Sequence, residues 1–79
     1  MQIVIAPTHR EGKYWLGWHQ KSAKEWQIIS TESGLRGRAL NDDDLVVVIR
    51  EGMSKPGMLD TYKECCRLAD KRPTVIYVY

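Results

Sequence analysis

Two short polar segments carry the residues whose types and spacing suit ligand chemistry best. Thr8, His9 and Arg10 follow one apolar run of the chain, and Arg50 and Lys55 follow another. Amide groups at a helix start, together with guanidinium and ammonium groups, hold phosphates and carboxylates. His9 could also move a proton near neutral pH. If the two runs are neighbouring parallel strands, these residues predict an anion site; the alternative is a capped, solvated loop.

A second basic segment contains Gly34, Arg36, Gly37 and Arg38. It precedes a predicted strand rather than a helix, so it does not fit a phosphate-binding loop. The chain has neither a G-x-G-x-x-G segment after its first strand nor a G-x-x-x-x-G-K-[ST] segment. Arg36 and Arg38 could contact nucleic-acid phosphate; a flexible solvated turn is the alternative.

Metal and nucleophile chemistry have weaker candidates. His9 and His19 are ten residues apart on one predicted helix and cannot share a metal ion. The run 42–44 consists of three aspartates, which could bind a hard cation or simply solvate a loop. Cys65 and Cys66 are adjacent, which favours reduced thiols in a cytoplasmic protein over a disulfide. We therefore expect no catalytic residue, no metal and no cofactor, and a cytoplasmic location.

The aromatic content is high for 79 residues, with three tryptophans and four tyrosines. A small core cannot cover all of them, and Trp and Tyr dominate binding hot spots. We expect a protein interface that includes Trp15, Trp18, Tyr77 and Tyr79. The alternative is that the tryptophans mainly cover the sheet.

The apolar runs that position these residues alternate with helical patterns. Leu45–Ile49 is unbroken by polar residues, which is typical of a parallel strand covered on both faces. Thr8 and Glu11 fit a capping box at a helix start, and Pro73 ends a second helix. The expected elements are strands at 3–6, 26–31, 45–49 and 74–79, with helices at 8–20 and from 58 or 59 to 72.

The order of the predicted strands and helices along the chain predicts the fold class. We expect a small α/β (Rossmann-like) βαββαβ domain spanning 1–79, with two or three layers. Right-handed crossovers give a mostly parallel four-stranded sheet of order 2-1-3-4. The segment 32–44 is expected to be a loop with one helical turn. The second helix should bury a stripe of Leu59, Tyr62, Cys66 and Ala69.

Composition limits the classes of partner. The net charge is +2, from twelve basic and ten acidic residues, and 43% of residues are hydrophobic. This balance fits a globular domain and does not favour nucleic acid. The longest apolar run is too short to cross a bilayer, and no signal peptide is expected.

Two segments resemble those of small α/β accessory proteins of tailed bacteriophages. They are the opening strand Met1–Thr8 and the run Leu35–Ile49. The second run also resembles the stretch of helicases and terminases that leads into their acidic Walker B strand. Here Ile49 and Arg50 replace the acidic pair, which argues against ATP hydrolysis. The resemblance implies a host-directed or regulatory binding role.

The function expected from the sequence is a non-catalytic cytoplasmic module that binds a host protein or its own copy as a homodimer. One alternative is a nucleotide or phosphate-ligand binder between the first and third strands. Another is a nucleic-acid accessory protein acting through Arg36 and Arg38.

Purified protein should hydrolyse no nucleoside triphosphate above background in a phosphate-release assay, because both the phosphate loop and the acidic strand end are absent. Turnover that disappears in Arg10→Ala or Arg50→Ala would make the chain an enzyme.

Overall fold

The computed structural model describes residues 2–69 and 73–78 of the chain. Seven elements occur in these residues, namely β1 (Gln2–Ile5), α1 (His9–Trp18), β2 (Trp26–Ile29), α2 (Glu32–Leu35), β3 (Leu45–Ile49), α3 (Met58–Ala69) and β4 (Thr74–Val78). The strands form one parallel sheet of order β2-β1-β3-β4. The predicted α/β class and strand order are therefore confirmed.

Strand β3 lies between two hydrophobic cores. Val46 and Val48 pack with residues of α2 and α3, whereas Val47 and Ile49 pack with Leu16 of α1 on the opposite face. These four of the five β3 residues are buried, and Leu45 is partly buried. The helices thus cover both faces of the sheet, and the domain has three layers. This two-sided burial explains why the strand has no polar residue between Leu45 and Ile49.

Contacts of Thr8 and Gly12 determine where helix α1 begins and how closely it packs on the sheet. The Thr8 hydroxyl accepts a hydrogen bond from the Glu11 amide at 3.2 Å, which is one half of a capping box. A Cβ at Gly12 would lie 2.5 Å from Cγ2 of Ile28, so glycine lets the helix approach β2 closely. The glycine that weakens the isolated helix therefore fixes its place on the sheet.

The connection between β2 and β3 contains the single helical turn that the sequence predicts. Helix α2 is capped by Thr31, whose hydroxyl accepts from the Gly34 amide at 3.3 Å. Its one buried residue, Leu35, joins the core shared with α3.

The predicted stripe on α3 is wrong at Leu59 and Cys66, whereas Tyr62 packs against the core as predicted. Met58 and Cys65 are fully buried, whereas Leu59 is 45% exposed and Cys66 is only partly buried. The apolar face is rotated by one residue relative to the prediction, because Met58 enters the core directly after the Gly57 turn, where φ is +79°. The side chain of Ala69, also predicted for the stripe, lies outside the described side chains.

Strand β4 is the least covered strand of the sheet. Ile76 is 45% exposed on the α1 side, and Tyr77 is 60% exposed on the opposite side. Among the described residues, no helix has the length and apolar character to cross a membrane.

Val47→Asp should abolish cooperative folding, because an unpaired charge at a 2% exposed site in the sheet costs several kcal/mol. Thermal unfolding followed by circular dichroism tests this. Gln27→Asp, at an exposed strand position, is the matched control and should still unfold cooperatively. A soluble Val47→Asp variant with a cooperative melt would refute the two-sided burial of β3.

Candidate functional site

Ligands of open parallel sheets bind beyond the carboxyl ends of the strands, where the strand order reverses. In this sheet the reversal falls between β1 and β3, because β2 lies on one side of β1 and β3 on the other. A cavity at that point is lined by Pro7, Glu11, Arg50 and Glu51. Two carboxylates and one guanidinium thus face it. This composition is poorly suited to a phosphate.

The predicted anion-binding residues lie near this edge, and several contact other parts of the chain. The Arg50 guanidinium lies 3.5 Å from the Glu11 carboxylate. Lys55 donates to the main-chain oxygen of Ser30 at 2.6 Å. The Thr8 hydroxyl is occupied by the α1 cap, and His9 is exposed in the first turn of that helix.

Arg10 interacts within its own helix. Its Nε donates to the hydroxyl of Tyr14 at 3.1 Å, and its guanidinium lies 5.6 Å from the centre of the same ring. The side chain thus packs along the helix surface beside Tyr14.

The chain turns sharply after β3. Arg50 has a φ of +48°, in the left-handed region that non-glycine residues seldom occupy. A Cβ at Gly52 would lie 2.6 Å from the Ile5 oxygen, so the turn packs directly on the end of β1. Gly52 packs the turn against the end of β1, and the Arg50 side chain points toward Glu11 of α1.

An aromatic groove runs beside this cavity, between α1 and the ends of β3 and β4. We define it by six residues: Tyr14, Trp15, Trp18, His19, Ile49 and Val78. The groove has a volume of about 530 Å³, and Glu11 and Arg50 also line it. The floor is apolar and the walls are aromatic, which is the usual character of a site for an apolar group.

Tilted aromatic rings make the wall of the groove. The Trp15 ring lies 4.4 Å from the His19 ring and 5.5 Å from the Trp26 ring, measured between centroids, with interplanar angles of 31° and 56°. Trp26 is buried in the α1-side core, so it anchors this cluster of rings. The Trp15 Nε1 donor is buried and has no hydrogen-bond acceptor among the described residues. An unsatisfied buried donor costs about 1–3 kcal/mol.

The rim of the groove is exposed. Trp18 is 85% exposed and Tyr14 is 56% exposed, one helical turn apart. Of the predicted interface residues, the structure brings Trp15 and Trp18 together here. Tyr77 lies on the other face of the sheet, since it pairs in register with Val48. Tyr79 lies outside the described residues.

The arginines predicted to contact nucleic acid have local partners. Arg36 forms an ion pair with Glu32, and hydrogen bonds from Arg36 and Thr61 lower the pKa of Glu32. Arg38 donates from Nε to the Gly34 oxygen at 2.9 Å. These contacts tie the segment after α2 back to α2, and the Thr61 hydroxyl ties Glu32 of α2 to α3.

The last aspartate of the acidic run before β3 has a structural role, whereas Asp42 and Asp43 are exposed. Asp44 is 6% exposed, and its carboxylate accepts from the Asn41 amide at 3.0 Å. Burial by itself would raise the pKa of Asp44, but hydrogen bonds to the carboxylate hold the pKa below its usual value. Within residues 2–69 and 73–78, no group of three His, Cys, Asp or Glu side chains could hold a metal ion.

The adjacent thiols have different surroundings. Cys65 is fully buried and its Sγ donates to the Leu35 oxygen at 3.1 Å, whereas Cys66 is only partly buried. Burial raises the pKa of the Cys65 thiol. A buried, protonated thiol is a poor nucleophile.

The sequence does not predict the role of several residues in and beside the groove. It does not predict the contact between Glu11 and Arg50, and it predicts Ile49 and Val78 only as strand residues. The one usable signal was the spacing of Tyr14 and Trp18, which places both on one side of a helix.

Comparison of the chain with protein-family models, with curated proteins and with solved structures finds no match.

In the native protein, one thiol per chain should react readily with a chromogenic disulfide reagent, and that thiol is Cys66. Cys65 should react only as the chain unfolds, because it is buried and its pKa is raised. In Cys66→Ser the fast phase should disappear. Loss of the fast phase in Cys65→Ser instead would contradict this assignment.

Proposed function

We propose that the chain is a non-catalytic protein-binding module whose binding surface is the aromatic groove. The observation that carries the proposal is the position of Trp18, which is 85% exposed at the rim of an apolar groove. A large aromatic side chain left in water beside a concave apolar surface is typical of an interaction site. The proposed partner is a host protein, in keeping with the resemblance to bacteriophage accessory proteins.

The charges around the groove favour a protein over a nucleotide. Glu11 and Glu51 line the adjoining cavity, so a phosphate there would approach two carboxylates. The nearest guanidinium, Arg50, lies 3.5 Å from one of them. A protein segment with an uncharged apolar side chain meets no such repulsion.

The groove also indicates what the partner presents. Its volume of about 530 Å³ suits one or two large apolar side chains. We therefore propose a large apolar or aromatic side chain as the recognised feature.

The proposed location is the cytoplasm of the host cell. Cys65 and Cys66 are both free thiols, and that compartment keeps such thiols reduced.

Selection of a random peptide library on the immobilised protein should enrich peptides with a shared large apolar residue. Trp18→Ala should weaken their binding by about 2 kcal/mol, roughly 30-fold, as expected for a hot-spot tryptophan. Because Trp18 is mostly exposed, its replacement should leave the free energy of unfolding within about 0.5 kcal/mol of the wild type.

Leu59→Ala is the matched control, since Leu59 is a half-exposed apolar residue of α3, away from the groove. It should bind the selected peptides as the wild type does. Peptides that bind Trp18→Ala with undiminished affinity, or a selection that enriches no common feature, would refute the proposed surface.

A further inference from the structure

The two edges of the sheet differ in how they are protected. Strand β2 contacts α1 and α2 in addition to β1, whereas the substantial contacts of β4 are with β3. Charged residues Lys24 and Glu25 precede β2, and its exposed position Gln27 is polar. Strand β4 has the sequence TVIYV, with no charge, proline or bulge. An open apolar edge of this kind favours pairing with another strand.

The hydrogen bonds of β4 define which groups are open. The Thr74 amide donates to the Asp44 oxygen at 3.0 Å, and the Val78 oxygen accepts from the Arg50 amide at 2.7 Å. Main-chain groups of alternate residues point to the same side of a strand. Thr74, Ile76 and Val78 therefore bond to β3, and the N–H and C=O groups of Val75 and Tyr77 point away from the sheet.

We infer that two copies of the chain pair through their β4 edges, antiparallel about a two-fold axis at Ile76. In this register Val75 of each copy faces Tyr77 of the other, and each such pair exchanges two hydrogen bonds. A shift by one pair toward the start of the strand would place Pro73, which has no N–H, in a bonding position. The result is a continuous eight-stranded sheet formed from two four-stranded sheets.

In this arrangement the exposed side chains of β4 pack against those of β4 in the second copy. Ile76 meets its symmetry mate in the closer, non-hydrogen-bonded pair on the α1 side. On the opposite side Tyr77 packs beside Val75 of the second copy. No charged residue lies within β4, so no like charges meet across the axis.

The area sets the expected strength of the dimer. Five strand residues span about 16 Å, so the paired edge is short. One short strand pair buries less than the roughly 800 Å² per partner that is standard for specific interfaces. The pairing should therefore be weak and reversible.

The pairing extends the proposed function. A two-fold axis perpendicular to the sheet keeps both α1 sides on the same face, so the dimer displays two aromatic grooves on one face, toward opposite ends of the paired strands. A divalent partner would bind such a dimer more tightly than a monomer. This consequence rests on the proposed function; the pairing itself does not.

Cysteine cross-linking tests the register. In a Cys66→Ser background, Ile76→Cys should form an intermolecular disulfide on mild oxidation, because opposite residues of a non-hydrogen-bonded pair have Cα atoms about 4.5 Å apart. Tyr77→Cys is the matched control and should cross-link far more slowly, since the two positions 77 are displaced along the strands. Cross-linking of Tyr77→Cys at the same rate would overturn the register.

Sedimentation equilibrium tests the association itself. The wild type should change with dilution from a dimer to a monomer of 9.2 kDa, and Ile76→Lys should be monomeric at all concentrations. A wild type that stays monomeric at the highest concentrations, together with absent Ile76→Cys cross-linking, would overturn the pairing. Such a monomer that still bound selected peptides through Trp18 would leave the proposed function standing.

Discussion

The burial of β3 on both faces is the constraint on which the rest of the structure depends. Val46 and Val48 require a cover on one side and Val47 and Ile49 require one on the other, so helices must lie on both faces. Parallel pairing on both sides of a buried strand follows, because the connecting helices are also the covers. The chain must then leave β3 abruptly. It does so through Arg50 in a left-handed conformation and through Gly52 packed on Ile5.

The same constraint determines what stays exposed. Three helices cover the two inner strands and β2, and within residues 2–69 and 73–78 no further element covers β4. Helix α1 packs closely on β2 through Gly12, so the opposite side of the helix leaves a groove over the ends of β3 and β4. The open edge and the aromatic groove thus have one origin. Both arise because the helices on the two faces of the sheet do not extend over β4.

The sequence predicts those features whose physical cause is local or periodic. The run Leu45–Ile49 predicts the central strand, Thr8 predicts the helix start, and the handedness of crossovers yields the strand order. The rotation of α3 could not be predicted in this way. Stripes built on Leu59 and Cys66 or on Met58 and Cys65 differ by one residue, and the approach of the preceding turn decides between them.

The candidate site was less predictable than the fold, because its parts come from distant segments. Trp15 and Trp18 were expected at an interface from their residue type alone, but the floor formed by Ile49 and Val78 depends on how α1 packs. The anion site expected from Arg50 depended on a free guanidinium. The approach of Glu11, across the first turn of α1, gives that guanidinium an acidic neighbour, and no periodicity in the sequence indicates such a contact.

Strand β4 is inferred to be an open edge whose alternate main-chain groups bind another strand. Residue-resolved amide hydrogen exchange, measured in dilute and in concentrated protein, tests it most directly. In dilute protein the Val75 and Tyr77 amides should exchange rapidly and the Ile76 and Val78 amides slowly, and at high concentration Val75 and Tyr77 should become protected. Equal protection of all four amides in dilute protein, or rapid exchange of Val75 and Tyr77 at every concentration, would contradict the account.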